Sequence, residues 1–397
     1  MPKFAVLGSG FISDFYIKAL QQYRQDAEIV IVQGRNPDKL RKFCETYHIP
    51  NQTTSMKEAV GHNEVDMVIV GLPNHLHLEA VDRCAKAGKG ILMTKPLGRN
   101  AEEAWEMLQI VEKAGVFHGY LEDLVYTPKT QKAIKSVRNG AIGTVTWTRS
   151  RETHPGPHSD WFWDIEMAGG GAIVDLGCHC IEVSRNYIGK EIKPVEAMCW
   201  ADTLVKPIAA EDHAIGLVRY NTGAVAQFEV SWAFRGGMDL RDEVSGTDGT
   251  IWLNHFLRTG FEMFSAPGQD AYVAEKAETG SGWLFPVGDE PVELGYTNMF
   301  ENMISSFQSN ETPDETFYDG YVVNAIMDTC YRSAKTKKWE PVELKEWRGE
   351  DDSSPIMRLR EYDKEHYLIK EEKLPNGSVK VVLKNKKTGE FIQRNQL

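Results

Sequence analysis

Four features that would point to a specialised class of protein are missing from this 397-residue chain: an excess of basic residues, a long apolar run, a high density of cysteine and an internal repeat. With 57 acidic against 45 basic residues the formal charge is −12, so no general positive field attracts nucleic acid or an anionic membrane. No apolar run approaches the roughly 20 residues that a membrane-spanning helix needs. We therefore expect no nucleic acid and no membrane among the partners.

Cysteine is sparse, and the first residues do not resemble an export signal. Six cysteines in a chain of this length argue against a disulfide scaffold. The first apolar stretch, residues 4–8, is too short for the core of a signal peptide and leads directly into a glycine motif. A reducing cytoplasm is the simplest location that fits both observations.

The hydrophobic pattern divides the chain into three segments. Residues 1–124 alternate short apolar runs with helical patterns, which predicts an α/β fold with a doubly wound parallel sheet. Residues 125–345 contain longer alternating runs and turn signals, which predict an α+β domain with a large, mostly antiparallel open sheet. Residues 346–397 form a charged extension in which Pro375-Asn376-Gly377 predicts a β-hairpin. The hairpin could cap the sheet, embrace another subunit or be a loosely held appendage.

A glycine-rich loop joins the first predicted strand to the first predicted helix. Residues 8–13 read Gly-Ser-Gly-Phe-Ile-Ser, the GxGxx(G/A) context with serine in the third position. The first glycine permits a tight turn, the second allows a pyrophosphate to approach the backbone, and the helix N-terminus supplies N–H donors. Because the loop lies at the start of a βαβ pattern, we predict a dinucleotide site rather than an ordinary turn.

The end of the second predicted strand bears on the choice between NAD and NADP. A site that prefers NAD usually has Asp or Glu there to hold the ribose 2′-OH, whereas this chain reads Gln33-Gly34-Arg35-Asn36. Arg35 could pair with a 2′-phosphate, stack on adenine or lie free in solvent. The predicted cofactor is therefore NAD or NADP, and the absence of an acidic residue favours NADP.

Four further segments follow in order along the chain. They are residues 71–77 (Gly-Leu-Pro-Asn-His-Leu-His), residues 88–97 ending in Thr-Lys-Pro-Leu, residues 169–179 (Gly-Gly-Gly-Ala-Ile-Val-Asp-Leu-Gly-Cys-His) and the turn at 244–250. Together with the glycine loop they resemble the Gfo/Idh/MocA family, the glucose–fructose oxidoreductase and inositol dehydrogenase group, over about residues 1–345. The resemblance implies a Rossmann domain followed by a substrate-binding and oligomerisation domain. From the glycine loop, the end of the second strand and the resembling segments together, the cofactor-binding candidates are Gly8, Gly10, Phe11, Ile12, Arg35, Asn36, Leu72, Pro73, Asn74, His77, Lys95 and Pro96.

The chain departs from the family pattern at two places. Thr94 stands where the family commonly has Glu, so an ion pair or relay from that side chain is missing. Val125 stands where many members carry Arg, and Glu122 and Asp123 precede it, which suggests a different polar rim. Both departures bear on the substrate rather than on the fold.

Hydride transfer between an alcohol carbon and nicotinamide needs a group that accepts the hydroxyl proton and groups that hold the substrate. His179 suits proton transfer near neutral pH, and Asp175 lies four residues earlier on the same predicted helix. Lys95 follows the fourth predicted strand, at the edge of the sheet where ligands gather. The residues alone also allow a capped helix histidine and a surface lysine. The resemblance implies that His179 is the acid/base, that Asp175 either binds a substrate hydroxyl or has an orienting role, and that Lys95 binds the reacting hydroxyl and lowers its pKa.

Residues 154–164 form a loop rich in Pro, His and Trp. Aromatic faces and polar edges suit sugar rings, although tryptophans that pack into the core would give the same sequence. The substrate-binding candidates are Lys95, Glu122, Tyr126, His158, Trp161, Asp175 and His179. Consecutive residues 178–180 (Cys-His-Cys) point in different directions on a helix, so we expect no metal site.

These observations predict an NAD(P)-dependent oxidoreductase acting on a sugar, polyol or glycoside, with hydride transfer between a secondary alcohol carbon and nicotinamide C4. Two alternatives remain open: a redox-neutral NAD-dependent glycosidase that oxidises C3 transiently and eliminates the glycosidic substituent, and a non-catalytic cofactor-binding sensor. The resemblance also implies a homo-oligomer, a dimer or a tetramer.

Overall fold

A computed structural model of the chain describes residues 1–24, 26–256, 261–268, 272–350 and 359–396. The chain divides into two compact units, Met1–Ser353 and Ser354–Leu397. Within the described ranges, no helix has both the length and the apolar character needed to cross a membrane.

The first 121 residues form a six-stranded parallel sheet with helices between the strands. Its strand order is β3-β2-β1-β4-β5-β6, which confirms the predicted doubly wound fold. The elements are β1 (Lys3–Leu7), α1 (Phe11–Tyr23), β2 (Glu28–Gln33), α2 (Pro37–Thr46), β3 (Asn51–Thr53), α3 (Met56–Val60), β4 (Met67–Val70), α4 (His77–Lys86), β5 (Gly90–Thr94), α5 (Ala101–Ala114) and β6 (His118–Leu121).

The central strands of this sheet are apolar because helices cover both of its faces. All residues of β4 and β5 are buried, as expected for parallel strands without a solvent-facing side. The sequence pattern did not predict β3 and α3, which are three and five residues long. The sequence of β3, Asn-Gln-Thr, has no apolar residue, and its pairing with β2 is supported by the Asn51 side chain, which donates to Val30 O at 2.9 Å.

The second half of the Met1–Ser353 unit is built on a seven-stranded sheet of order β12-β11-β7-β10-β9-β8-β15. All of its neighbouring pairs are antiparallel except β7 with β10, so the sheet is mixed but mostly antiparallel, as predicted. The elements are α6 (Pro128–Arg138), β7 (Val145–Thr153), α7 (Ile165–Ala168), α8 (Cys178–Ile188), β8 (Pro194–Asp202), β9 (His213–Tyr220), β10 (Val225–Ser231), β11 (Asp239–Gly246), β12 (Thr250–Asn254), β13 (Met263–Ser265), β14 (Gly282–Leu284), α9 (Glu290–Glu293), α10 (Tyr296–Ser309), α11 (Phe317–Thr336) and β15 (Glu340–Pro341).

The two faces of the seven-stranded sheet have different surroundings. Helices α8 and α11 pack on the inner face, against β7, β10 and β8. The outer face carries large apolar side chains that are exposed within this chain, namely Trp147, Trp200, Ile215 and Trp252. Strand alternation places them on the side opposite to the buried core residues.

The Ser354–Leu397 unit is a three-stranded antiparallel sheet made of β16 (His366–Lys373), β17 (Val379–Asn385) and β18 (Phe391–Gln396). The first two strands pair across the Pro-Asn-Gly turn, where the sequence predicts a hairpin. The third strand was not predicted, because its sequence, Phe-Ile-Gln-Arg-Asn-Gln, carries little apolar alternation.

Candidate active site

The loops that follow β1, β4, β5 and β6 lie at the carboxyl edge of the parallel sheet. These four strands are neighbours, so the loops beginning at Gly8, Gly71, Lys95 and Glu122 come together there. This edge is where ligands bind in open α/β sheets. The candidate site is built from these loops and from the segment that enters α8.

The glycine loop has the shape that a dinucleotide site requires. Gly8 has a φ of +102°, and a Cβ at this position would collide with the carbonyl oxygen of Gly71. A Cβ at Gly10 would meet nothing within 4 Å, so open space lies above that residue. Helix α1 starts at Phe11 with no side-chain cap on its first N–H groups. These free donors and the space above Gly10 fit a pyrophosphate.

The end of β2 exposes one cation. The Arg35 side chain is exposed and makes no hydrogen bond or ion pair with any residue the structure describes. The side-chain oxygen of Asn36 caps α2 by accepting from Asp38 N at 3.1 Å and Lys39 N at 3.0 Å, so this oxygen is engaged within the protein. Of the two, Arg35 is the side chain free to meet a ligand.

Two other predicted cofactor residues are engaged within the protein. The Asn74 amide is buried and donates to Ala168 O at 2.8 Å. His77 is fully buried, with its ring nitrogens 3.0 Å from Leu97 O and 3.0 Å from Leu72 O. These side chains therefore fix the loops after β4 and β5, whereas Leu72, Pro73 and Pro96 belong to the fixed loops themselves.

The segment that carries Asp175 depends on close backbone approach at its glycines. A Cβ at Gly171 would collide with the carbonyl of Glu211, and a Cβ at Gly170 would collide with the Tyr331 hydroxyl. Glu211 accepts from Ile173 N at 2.8 Å and from Tyr331 Oη at 2.9 Å, so it caps the segment. The predicted continuous helix is a π-helical turn over Ile173–Gly177 that continues into α8.

Lys95 and Asp175 form an ion pair at the centre of the site, in which Asp175 is buried and Lys95 is partly buried. The Lys95 Nζ lies 3.0 Å from Asp175 Oδ1 and also donates to Asp175 O at 2.7 Å. Asp175 Oδ2 accepts from Trp232 Nε1 at 2.9 Å. Burial opposes the charge on both partners, but Lys95 holds the pKa of Asp175 below its ordinary range, and Asp175 raises the pKa of Lys95. Both groups are charged at neutral pH.

His179 is the second residue of α8, and it contacts a carboxyl group. Its Nδ1 is hydrogen-bonded to Glu122 Oε1, and both side chains are buried. Burial, reinforced by the charge of Lys95, lowers the pKa of His179 to about 3. Burial raises the pKa of Glu122 to about 8. The imidazole is therefore neutral at pH 7 and is paired with a group that titrates close to that pH.

The expectation that Glu122 and Asp123 form a polar rim is wrong, because the structure buries both. Burial raises the pKa of Asp123 to about 7, and it raises the pKa of Glu152 on β7 well above its ordinary value. Glu122, Asp123 and Glu152 thus line the interior beside Lys95. Thr94 is also buried, and its hydroxyl accepts from Tyr16 Oη at 2.8 Å.

The aromatic loop lies against both halves of the site. Trp161 stacks on Phe162 with ring centroids 3.8 Å apart, and none of the aromatic residues 161–163 is fully buried. Trp163 packs edge-on against Trp232, the residue that binds Asp175. The His158 ring lies 4.0 Å from the Phe11 ring of the glycine loop. The loop therefore presents partly exposed aromatic faces next to Asp175.

Tyr126 lies apart from this cluster. Its side chain is 2% exposed and belongs to the hydrophobic core, and its hydroxyl donates to Asn302 Oδ1 at 3.0 Å. Packing gives Tyr126 a structural role, so the prediction that it contacts substrate is not supported by its position.

A metal ion is poorly matched to the ligand atoms present. Glu122, Cys178 and His179 offer three atoms within 4.8 Å of one another. Burial raises the pKa of Cys178 well above its ordinary value, whereas a metal requires the thiolate. A second group, Glu182, Glu315 and Asp319, is already paired with Arg185 and Lys190.

Four residues of the site had no assigned role in the sequence analysis. Trp232, directly after β10, and Glu211, two residues before β9, support Asp175 and its helix from far along the chain, and no local pattern marks them. His154 lies with its Nε2 3.9 Å from Asp175 Oδ2, and Lys276 donates to Gly156 O at 2.8 Å. His154 stands in the aromatic loop, which is the one local signal that could have identified it.

Comparisons with known proteins agree with this architecture. The model for the oxidoreductase family with an NAD-binding Rossmann fold matches residues 2–120, and the model for the GFO/IDH/MocA C-terminal domain matches residues 130–252. Levoglucosan dehydrogenase of Pseudarthrobacter phenanthrenivorans is 25% identical over 348 residues, which cover 79% of this chain and 89% of that protein. Myo-inositol 2-dehydrogenase of Thermotoga maritima is 24% identical over 340 residues, which cover 85% of this chain and 97% of that protein.

A solved structure is similar along most of the chain. The crystal structure of GenD2 from gentamicin A biosynthesis, in complex with NAD, has a TM-score of 0.81 and 26% identity, and the match covers 86% of this chain and 97% of that one. One conclusion follows from the two family models, the fold and the four loops at the carboxyl edge of the parallel sheet. The chain belongs to the Gfo/Idh/MocA family of NAD-dependent oxidoreductases.

Proposed function

We propose that this chain is an NAD(P)-dependent dehydrogenase that transfers a hydride between nicotinamide C4 and a secondary alcohol carbon of a sugar, polyol or glycoside. The observation that carries the proposal is the convergence of partly buried Lys95 with buried Asp175 and His179 beside the carboxyl edge of the cofactor sheet. When bound, the nicotinamide supplies the hydride acceptor for the alcohol carbon.

Each residue of the cluster has a distinct task in this proposal. The Lys95 ammonium binds the reacting hydroxyl and lowers its pKa, because a nearby positive charge stabilises the developing alkoxide. Asp175 keeps Lys95 charged and positions it through the 3.0 Å ion pair. His179 accepts the hydroxyl proton at Nε2, because its Nδ1 is already bound to Glu122.

The substrate class follows from the loop and from the relatives. Partly exposed Trp161 and Phe162 offer the flat apolar faces on which a pyranose ring packs, and His158 offers a polar edge. Levoglucosan dehydrogenase and myo-inositol 2-dehydrogenase are named for a sugar anhydride and a cyclic polyol. We place the substrate of this chain in the same chemical range.

NADP is the preferred cofactor in this proposal. Arg35, which is exposed and has no partner among the residues that the structure describes, stands at the end of β2, where an acidic side chain would hold the ribose 2′-OH of NAD. A guanidinium there can pair bidentately with a 2′-phosphate.

A homo-oligomer is also part of the proposal. The outer face of the seven-stranded sheet exposes Trp147, Trp200, Ile215 and Trp252, and such a concentration of large apolar groups is typical of a subunit interface. Sedimentation analysis should show a dimer or tetramer, and Trp200→Glu should lower the association state while Lys132→Glu, on an outward part of α6, should not.

All six cysteines are buried and unpaired, which supports a reducing cytoplasm as the location.

The decisive experiment measures reduced nicotinamide. Purified protein is incubated with NAD⁺ or NADP⁺ and a panel that includes levoglucosan, myo-inositol and simple glycosides. Net formation of reduced cofactor, lost in Lys95→Met with cofactor binding retained, supports the dehydrogenase. Cleavage of a glycoside without net reduced cofactor would instead identify the redox-neutral glycosidase, and cofactor binding without turnover would identify the sensor.

A further inference from the structure

Glu122 is buried against the proposed acid/base and contacts it through a single atom pair. We infer that Glu122 is a positioning residue that holds His179 in the tautomer with Nδ1 protonated, and that it receives the Nδ1 proton when Nε2 takes one from the substrate. This inference rests on the proposed function only in assigning proton transfer to His179.

The geometry leaves one nitrogen of His179 available. Glu122 stands directly after β6, and its backbone N donates to Tyr120 O at 3.0 Å, which fixes the turn. Its Oε1 is the partner of His179 Nδ1, and Glu122 is completely buried. Among the residues that the structure describes, none is hydrogen-bonded to His179 Nε2. A neutral imidazole carries one proton, and its location on Nδ1 leaves the Nε2 lone pair free.

The surrounding charges disfavour a free imidazolium. Lys95 is positively charged and lies close enough to lower the pKa of His179. Burial acts in the same direction on the ring, and it raises the pKa of Glu122 to about 8, so the carboxylate that accepts the Nδ1 proton prevails above that pH. The charged or titratable groups that act on this pair include Lys95, Asp123, Asp175 and Glu275, and Glu152 and Cys178 also interact with Glu122. When the His179–Glu122 pair takes up a proton in addition to the one on the neutral imidazole, the state with a protonated carboxyl group is therefore more stable than the state with an imidazolium.

The proton balance of the step follows from this. The substrate O–H bond breaks and an Nε2–H bond forms, while the Nδ1–H bond breaks and an O–H bond forms on Glu122 Oε1. The pair gains one proton, the ring stays neutral, and no positive charge develops next to Lys95. In the reverse direction the same pair donates from Nε2. The pair thus accepts one proton when Glu122 is a carboxylate, the form that prevails above about pH 8, and donates one when Glu122 is protonated.

A glutamine at position 122 removes the acceptor but keeps the shape. Glu122→Gln should lower kcat roughly 100-fold or more, the size of a lost general-base contribution. The KM for the substrate and the Kd for the cofactor should change little, because neither ligand touches Glu122 in this account. Glu122→Asp should recover part of the rate and of the pH profile. Equal kcat in wild type and Glu122→Gln would overturn the inference.

A double-variant comparison separates this role from simple packing. In a His179→Ala background, Glu122→Gln should cause no further loss of kcat, because the carboxyl group acts only through the ring. Losses that multiply would mean that Glu122 supports the fold rather than the proton transfer. Glu315→Gln is the matched control, since Glu315 is also completely buried but contacts Lys190 and Asn186 instead of His179. It should leave kcat unchanged.

Nitrogen NMR of ¹⁵N-histidine-labelled wild-type protein gives a test that needs no substrate. With cofactor bound, the His179 signals, assigned by their loss in His179→Gln, should show a protonated Nδ1 and an unprotonated Nε2 above pH 8. A protonated Nε2 with a bare Nδ1 at that pH would contradict the inference. If the expected tautomer is found but no sugar or polyol is oxidised, the proposed function fails while the pairing of Glu122 and His179 stands.

Discussion

Replacing Lys95 by Met should leave the Asp175 carboxylate buried without its cation. The Asp175 side chain is 7% exposed, and its charge is balanced by the Lys95 ammonium 3.0 Å away. Removing one partner of a buried ion pair costs about 3–5 kcal/mol, because the remaining charge has lost its solvation and gained nothing in exchange. We expect Lys95→Met to lower the free energy of unfolding of the Met1–Ser353 unit by that amount at pH 7.

A double variant tests the origin of this loss. Asp175→Asn removes the charge but keeps a side-chain oxygen for Trp232 Nε1, which donates to Asp175 Oδ2 at 2.9 Å. Lys95→Met/Asp175→Asn should therefore regain most of the stability. It should remain about 1 kcal/mol below wild type, because the carbonyl of residue 175 loses its bond from the lysine.

The pH dependence has a defined sign. In wild type the pKa of Asp175 is depressed, so its contribution to stability is present above the ordinary value of about 3.9 and is lost as the pH falls through the folded pKa. Without Lys95, burial dominates and raises the pKa of Asp175, so the variant loses stability as the pH rises. The difference in the free energy of unfolding between wild type and Lys95→Met should therefore grow from about pH 4 to about pH 7.

Urea unfolding followed by tryptophan fluorescence measures the effect. All ten tryptophans lie within Met1–Ser353, so the signal reports on that unit alone. A loss below about 1 kcal/mol in Lys95→Met, or a double variant less stable than either single variant, would refute the assignment of a buried, charged pair.

Three further predictions concern the cofactor loops. Gly8→Ala should abolish cofactor binding and destabilise the fold, since its φ is +102° and the new Cβ would strike the Gly71 carbonyl; thermal unfolding and NADPH fluorescence titration measure both. Gly10→Ala should fold normally, because no atom lies within 4 Å of the new Cβ, yet it should weaken cofactor binding in the same titration by occupying the space of the pyrophosphate. Arg35→Ala should raise the Kd for NADPH about tenfold or more and leave the Kd for NADH nearly unchanged, because it removes one charge-assisted hydrogen bond of about 1.5–3 kcal/mol. Equal effects on the two Kd values would contradict the preference for NADP.

Sequence pattern was sufficient for the parts of the fold that repeat locally. The alternation of buried strands and amphipathic helices predicted the parallel sheet, and the turn signals predicted most strands of the second sheet. The capping role of Asn36 could also have been predicted, because Asn followed by Pro at the first helical position is a common helix start.

Contacts between distant segments could not be predicted in this way. Glu122 meets His179 across 57 residues and Trp232 meets Asp175 across 57 residues, and neither pairing leaves a local signal. Tyr126 follows Glu122 by four residues, yet packing directs it to Asn302 and the core. The sequence therefore predicted which loops form the site, whereas tertiary packing determines which of their side chains contact one another.

Transfer of deuterium from a substrate carbon is the most direct test of the central claim. The protein is incubated with NADP⁺ and NAD⁺ and with levoglucosan or myo-inositol deuterated at the ring carbons that carry secondary hydroxyls, and the cofactor is then analysed by mass spectrometry. The account predicts one deuterium on the nicotinamide ring and its absence in Lys95→Met, with the cofactor still bound. Reduced cofactor without deuterium, or turnover that is unaffected by the loss of Lys95, would contradict it.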